Sequence, residues 1–119
     1  METIDIVAER DRMLLSLTNS YSELWKMGKK LAECERDYKI AYRKEVLRLV
    51  HDKKCAWTAA ITLAQGDTDA FNVAELRFNR DIAKSPYNVS TEKINGLKLS
   101  LRIIESEIER QWGKSGKGL

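Results

Sequence analysis

Lys29, Arg36, Lys39 and Arg43 gather at helical spacing on one side of the first long stretch of this sequence, with Lys26 and Lys44 beside them. Trp25 and Ile40 are interleaved among these cations. A basic stripe carrying an aromatic can track phosphates and stack a base, so nucleic acid is one partner to weigh. Glu33, Glu35 and Asp37 share the stretch and can pair with the cations at helical separations. The stripe therefore reads first as a solvated charged face. A second cluster, His51-Asp52-Lys53-Lys54-Cys55-Ala56-Trp57, puts cations, a histidine and a tryptophan at a turn. Turns on rigid scaffolds often carry binding. The plainer expectation is that Trp57 plugs the end of the fold while Lys53 and Lys54 stay in water.

Catalysis finds no such grouping. His51 is the one histidine, and Cys34 and Cys55 lack both CxxC spacing and a second histidine to complete a metal site. Scattered acids around a single histidine give neither a triad nor a carboxylate dyad. Gly113-Lys114-Ser115 echoes the end of a phosphate-binding loop, but Ile108 stands where the earlier glycine belongs. No enzyme activity, metal or cofactor is expected. The outline around Gly66 resembles a helix-turn-helix, yet Asn72 and Glu75 fall where apolar residues should turn inward, with Val73 and Leu76 out of register by one. A DNA-reading motif is not expected there.

Composition agrees with a helical scaffold. The chain has 119 residues, 43% hydrophobic and 33% charged, a net charge of +3 and a single proline. Few aromatics and little proline disfavour a sandwich or barrel, while abundant Leu, Ile, Glu, Lys and Arg suit long helices with solvated faces. The charge permits an anionic partner without requiring one. Charged residues from Glu2 to Arg12 leave no room for an apolar signal core, and no apolar run approaches a membrane span. A cytoplasmic protein with reduced thiols is expected, with no membrane partner.

Between Thr3 and Lys53 there is no proline and one glycine, and Leu14, Leu17, Tyr21, Leu24, Leu31, Tyr38, Tyr42 and Leu49 mark one helical side. Met27, Cys34, Ala41 and Val46 widen it. Ser20 and Glu23 could form a capping box, but the stripe keeps its phase there and predicts a continuous helix. The pattern breaks from Asp52 to Thr68, where a short helix can run from Trp57 to Ala64 and end at Gly66. Asp67 or Thr68 is placed to cap the next helix, with Phe71, Phe78 and Ile82 lining its inner side to about Lys84. Ser85-Pro86 marks a kink or a fresh start. Ile94, Leu97, Leu101, Ile104 and Ile108 then step by three and four without fault, and Trp112 extends the face.

Arms of similar length, residues 4–53 and 68–112, predict a coiled-coil-like, all-α antiparallel hairpin with a short helix at the tip and a kink near Pro86. Residues 1–112 read as one helical domain and 113–119 as a flexible basic tail. Gly28 should lie opposite the region of Lys93, and Pro86 opposite Glu35. A second apolar strip recurs on each helix: Trp25, Ala32, Ile40 and Leu47; Val73, Leu76 and Ala83; Leu99 and Ile103. Three arrangements would cover it: a compact three-helix bundle, self-association into a four-helix bundle, or another protein.

Three stretches carry a resemblance: residues 31–49 (LAECERDYKIAYRKEVLRL), 74–83 (AELRFNRDIA) and 94–112 (INGLKLSLRIIESEIERQW). Together they resemble small helical proteins of phages and prophages of Gram-positive bacteria, a largely uncharacterised family, over roughly residues 20–112. The resemblance implies a protein that binds and blocks or redirects a host protein, such as a defence nuclease in the manner of an anti-CRISPR. Its alternative is a DNA-binding accessory of phage replication or recombination. Low net charge and a basic face diluted by acids favour the protein partner. The expected surface is Trp25, Lys29, Arg36, Lys39, Ile40, Arg43, Lys53, Lys54 and Trp57, on an elongated homodimer.

Overall fold

The computed structural model describes residues 3–65 and 70–116, with no side-chain account of Thr3 or 114–116. The described residues form three helices: α1 (Thr3–His51), α2 (Trp57–Leu63) and α3 (Val73–Gly116). Among the described residues there is no strand. The protein is an all-α helical hairpin, its two long helices antiparallel, with α2 at the turn. Helix α1 runs through Thr18-Asn19-Ser20 without a restart, as its phase predicts.

The chain divides into two compact units, Met1–Trp25 with Asn88–Leu119, and Lys26–Tyr87. In the first, Ile6, Arg10, Met13, Leu17, Ser20 and Leu24 turn away from solvent, stepping by four and three. Ser90, Ile94, Leu97, Leu101, Ile104, Ile108 and Gln111 do so on α3. In the second unit the covered rows are Met27, Leu31, Cys34, Tyr38, Ala41, Glu45 and Arg48 on α1, and Val73, Leu76, Arg80, Ala83 and Tyr87 on α3. Alternating steps of three and four average 3.5 residues, which is the repeat of a coiled-coil seam.

This seam corrects the expected one in three places. Leu14 and Tyr21 are 41% and 44% exposed, and their neighbours Met13 and Ser20 hold the seam instead. Phe78 and Ile82 are 58% and 54% exposed, whereas Val73 and Ala83 are buried and Leu76 half-buried. The inner side of that helix is therefore the strip assigned to its outside. Trp112 is exposed. Along α3 the small Val73 and Ala83 hold the inner side in place of the larger Phe78 and Ile82, since a close helix pair favours small residues.

Register differs as well. A Cβ built on Gly28 would come within 3.3 Å of the Tyr87 ring, so Gly28 faces Tyr87 and not the region of Lys93. Lys93 lines a groove with Ser16, Asn19, Ser20 and Glu23. The Arg80 guanidinium lies 4.6 Å from the centre of the Tyr38 ring, so the neighbourhood of Glu35 meets α3 before Pro86 is reached. Helix α3 begins at Val73, not 68, after Asn72 adopts a left-handed φ of 54°. The Asn72 carbonyl accepts the first helical bond, from Leu76 N–H at 3.0 Å. The expected caps Asp67 and Thr68, and the stop at Gly66, lie outside the described residues.

Pro86 sits inside α3, so there is no fresh start at Ser85. It is exposed, and the Ile82 carbonyl that loses its N–H partner is on the solvated side of the helix. The helix also continues through Gly116, past the expected start of a tail at Gly113.

Candidate protein-binding surface

The last turns of α1 have two neighbours. Facing α3 are Ala41 and Glu45; facing α2 are Val46 and Leu49, which form a core with Ala60 and Ala64. Tyr42, Val50, Cys55 and Leu63 pack around that core, and Tyr42 Oη donates to the Ile61 carbonyl at 3.3 Å. Alanines at positions 60 and 64 let α2 approach closely, since both are fully buried.

Among the described residues Glu45 is the largest fully buried side chain. Its carboxylate is held by the Arg48 fork, with Nη2 at 2.5 Å from Oε1 and Nε at 3.2 Å from both oxygens. The hydrogen bond to Glu45, reinforced by its charge, pushes the Arg48 guanidinium above its ordinary pKa against the opposing effect of desolvation. A raised arginine pKa keeps that partner charged at any working pH. The pair fixes the end of α1 as a rigid base for the tip.

The tip itself turns on Lys54, whose φ of 53° is left-handed. Asp52 N–H donates to the Arg48 carbonyl at 2.8 Å, and Cys55 N–H to the Leu49 carbonyl at 2.9 Å, which closes the end of α1. Lys53 and Lys54 are exposed there, as expected. Trp57 is not a plug. It opens α2 and is 55% exposed, beside Ile61 at 43%. The small residues Ala60 and Ala64 plug the end in its place, because an indole would hold α2 away from α1.

On α1 of this unit, Lys29, Arg36, Lys39, Ile40 and Arg43 are all exposed. Arg36 pairs with Asp37 at 3.3 Å, so one acid of the stretch does dilute the ridge. Ile40 and Leu47 keep 46% and 48% of their surface in water. Ile40 also lines a groove whose floor continues through Ala41, Phe71 and Leu76, with Asp37 and Lys44 at the rim. Phe71, Leu76 and Lys44 were not among the expected surface residues. The sequence signal for them was weak, since only the position of α3 brings Phe71 beside Ile40.

Trp25 is exposed but belongs to the other unit, with Leu15, Leu99 and Ile103. It is therefore described apart from the cationic group. Both strips left by the seam stay in water, so the chain does not bury them as a compact three-helix bundle would. The strip on Val73, Leu76 and Ala83 is the exception, being the seam itself.

Among the described residues no three His, Cys, Asp or Glu side chains come together to hold a metal ion. Among the described residues no helix is long and apolar enough to cross a membrane. No family model, no characterised protein and no solved structure matches this chain.

Proposed function

We propose that this chain is a non-enzymatic protein-binding module that grips its partner with the outer face of α1 in the unit Lys26–Tyr87. The observation that carries this reading is the set of exposed residues Arg36, Lys39, Ile40, Arg43 and Leu47 on one helix, with Ile40 at a groove lined also by Asp37, Ala41, Lys44, Phe71 and Leu76. Apolar side chains held in water on a rigid helix supply binding energy, and the surrounding cations supply orientation and selectivity. Lys53, Lys54, Trp57 and Ile61 extend the contact to the tip. The narrower reading is a phage-encoded protein that acts in the host cytoplasm and occludes a host defence protein. It is supported by the resemblance in residues 31–49, 74–83 and 94–112.

The test is capture from host lysate with mass spectrometry, followed by binding of the purified partner. Ile40→Asp with Arg43→Glu should abolish retention while leaving the helical circular dichroism unchanged. Both residues are exposed, so folding does not depend on them. The DNA reading makes the opposite forecast. Salt-sensitive binding to single- or double-stranded DNA, lost in Lys29→Ala/Arg36→Ala/Arg43→Ala, would replace a protein partner with a nucleic acid.

A further inference from the structure

The acids expected to dilute the basic ridge of α1 mostly leave its cations alone. Asp37 pairs with Arg36, but among the described residues no ion pair joins Glu33 or Glu35 to Lys39, Arg43 or Lys44. Residues 36–44 hold four cations and one acid, an excess equal to the +3 net charge of the entire chain. The rest of the sequence balances. The positive charge of the protein is therefore concentrated on this stretch, and it is not neutralised there.

Nor is the stretch a plain cationic surface. Ile40 and Leu47, 46% and 48% exposed, lie two turns apart on one line along the helix. Arg36 and Arg43 recur at the same seven-residue interval along one edge of that line, with Lys39 beyond them. On the other edge is the groove that Ile40 lines with Phe71 and Leu76. Nucleic acid is a poor match for this order. Bases stack on rings, whereas the line beside the arginines is built of branched aliphatics. Carboxylates suit the arginine forks, and apolar side chains suit Ile40, Leu47 and the groove.

We propose that the partner of this face is an acidic amphipathic helix, laid along α1 with its apolar stripe on Ile40, Leu47 and the groove at Phe71, and its carboxylates on Arg36, Lys39 and Arg43. The inference rests on the protein-binding reading above and names the chemistry of the partner. A helix with a seven-residue apolar repeat returns the same face every two turns. Ile40 and Leu47 recur at that interval, and so do Arg36 and Arg43, so one register satisfies both kinds of contact. The apolar line supplies affinity. Exposed ion pairs add little each, but they set the orientation and turn away basic helices.

Selection of random displayed helical peptides, about six turns long, on the full chain tests this without presuming a sequence. Enriched peptides should combine Leu, Ile or Phe at three- and four-residue steps with an excess of Asp and Glu. A synthetic peptide from that set should bind Arg36→Gln/Arg43→Gln about tenfold more weakly, two exposed ion pairs having been lost. Ile40→Asp should abolish its binding, with helical circular dichroism unchanged in both variants. Enrichment of basic or uncharged peptides, no enrichment, or full affinity in the arginine variant would overturn the proposal. So would single-stranded DNA binding or dimer formation that the arginine substitutions remove, since either assigns the face to another occupant. A lysate partner lost in Ile40→Asp/Arg43→Glu but held undiminished by Arg36→Gln/Arg43→Gln would leave the protein-binding reading standing and remove this one.

Discussion

Positions 14 and 21 of α1 and positions 42 and 49 are the same places in the seven-residue repeat, four repeats apart, yet their fates differ. Leu14 and Tyr21 are 41% and 44% exposed, whereas Leu49 is 4% exposed and Tyr42 is half-buried. The difference is a third helix. In the unit Lys26–Tyr87, α2 lies against that side of α1, and a second covered row forms beside the seam. In the other unit the seam has only α3 as its cover. The comparison shows that a residue's place in the repeat fixes its direction around the helix but not what stands there to meet it.

The strongest way to break the better-covered unit is Arg48→Met. It takes the Arg48 counter-charge away from the buried Glu45 carboxylate, and such a loss is among the most destabilising single changes. The melting temperature should fall by roughly 10 °C or more. Amide exchange should accelerate first in residues 40–64. The double variant Glu45→Leu/Arg48→Met should regain most of the loss, because an apolar pair of similar size removes the charge problem. A single variant that melts like the wild type would mean that the pair contributes nothing to this end of α1.

The comparison itself is sharpened by one residue type at one repeat position. Leu49→Ala should cost about 2–4 kcal/mol, since it opens a cavity against Ala60 and Ala64. Leu14→Ala should cost less than about 1 kcal/mol, because much of that side chain is already in water. Urea unfolding of the two variants checks the ratio. Equal losses would mean that α2 does not seal this side of α1.

The helical class, the continuity of α1, the short α2 and the run from Ile94 to Ile108 were legible because periodicity and composition report them directly. The inner side of residues 73–83 was not. There Phe78 and Ile82 outrank Val73 and Ala83 in hydrophobicity, but the helix pair is close enough that Tyr87 rests against a glycine, and close seams select small residues. Trp57 misled for the same reason. Buried Glu45 was invisible because its partner Arg48 reads as one more surface charge. Of the expected surface, the exposed cations of α1 were legible. The groove beside Ile40 was not, since it exists only once Phe71 is carried there by the start of α3.

The smallest effect tests why the tip turns where it does. Lys54 holds a left-handed φ of 53°, which costs a residue with a Cβ about 1 kcal/mol or more. Glycine removes that cost and adds a smaller one, the entropy of a freer unfolded chain. Lys54→Gly should therefore stabilise the protein by about 0.5 kcal/mol. Lys53→Gly, one residue earlier and without a positive φ, has no such relief to gain and should lose a few tenths of a kcal/mol. Paired melting curves of the two variants give the sign directly. If Lys53→Gly proved the more stabilising, the turn would not rest on the left-handed residue, and the register that α2 and α3 inherit from it would need another origin.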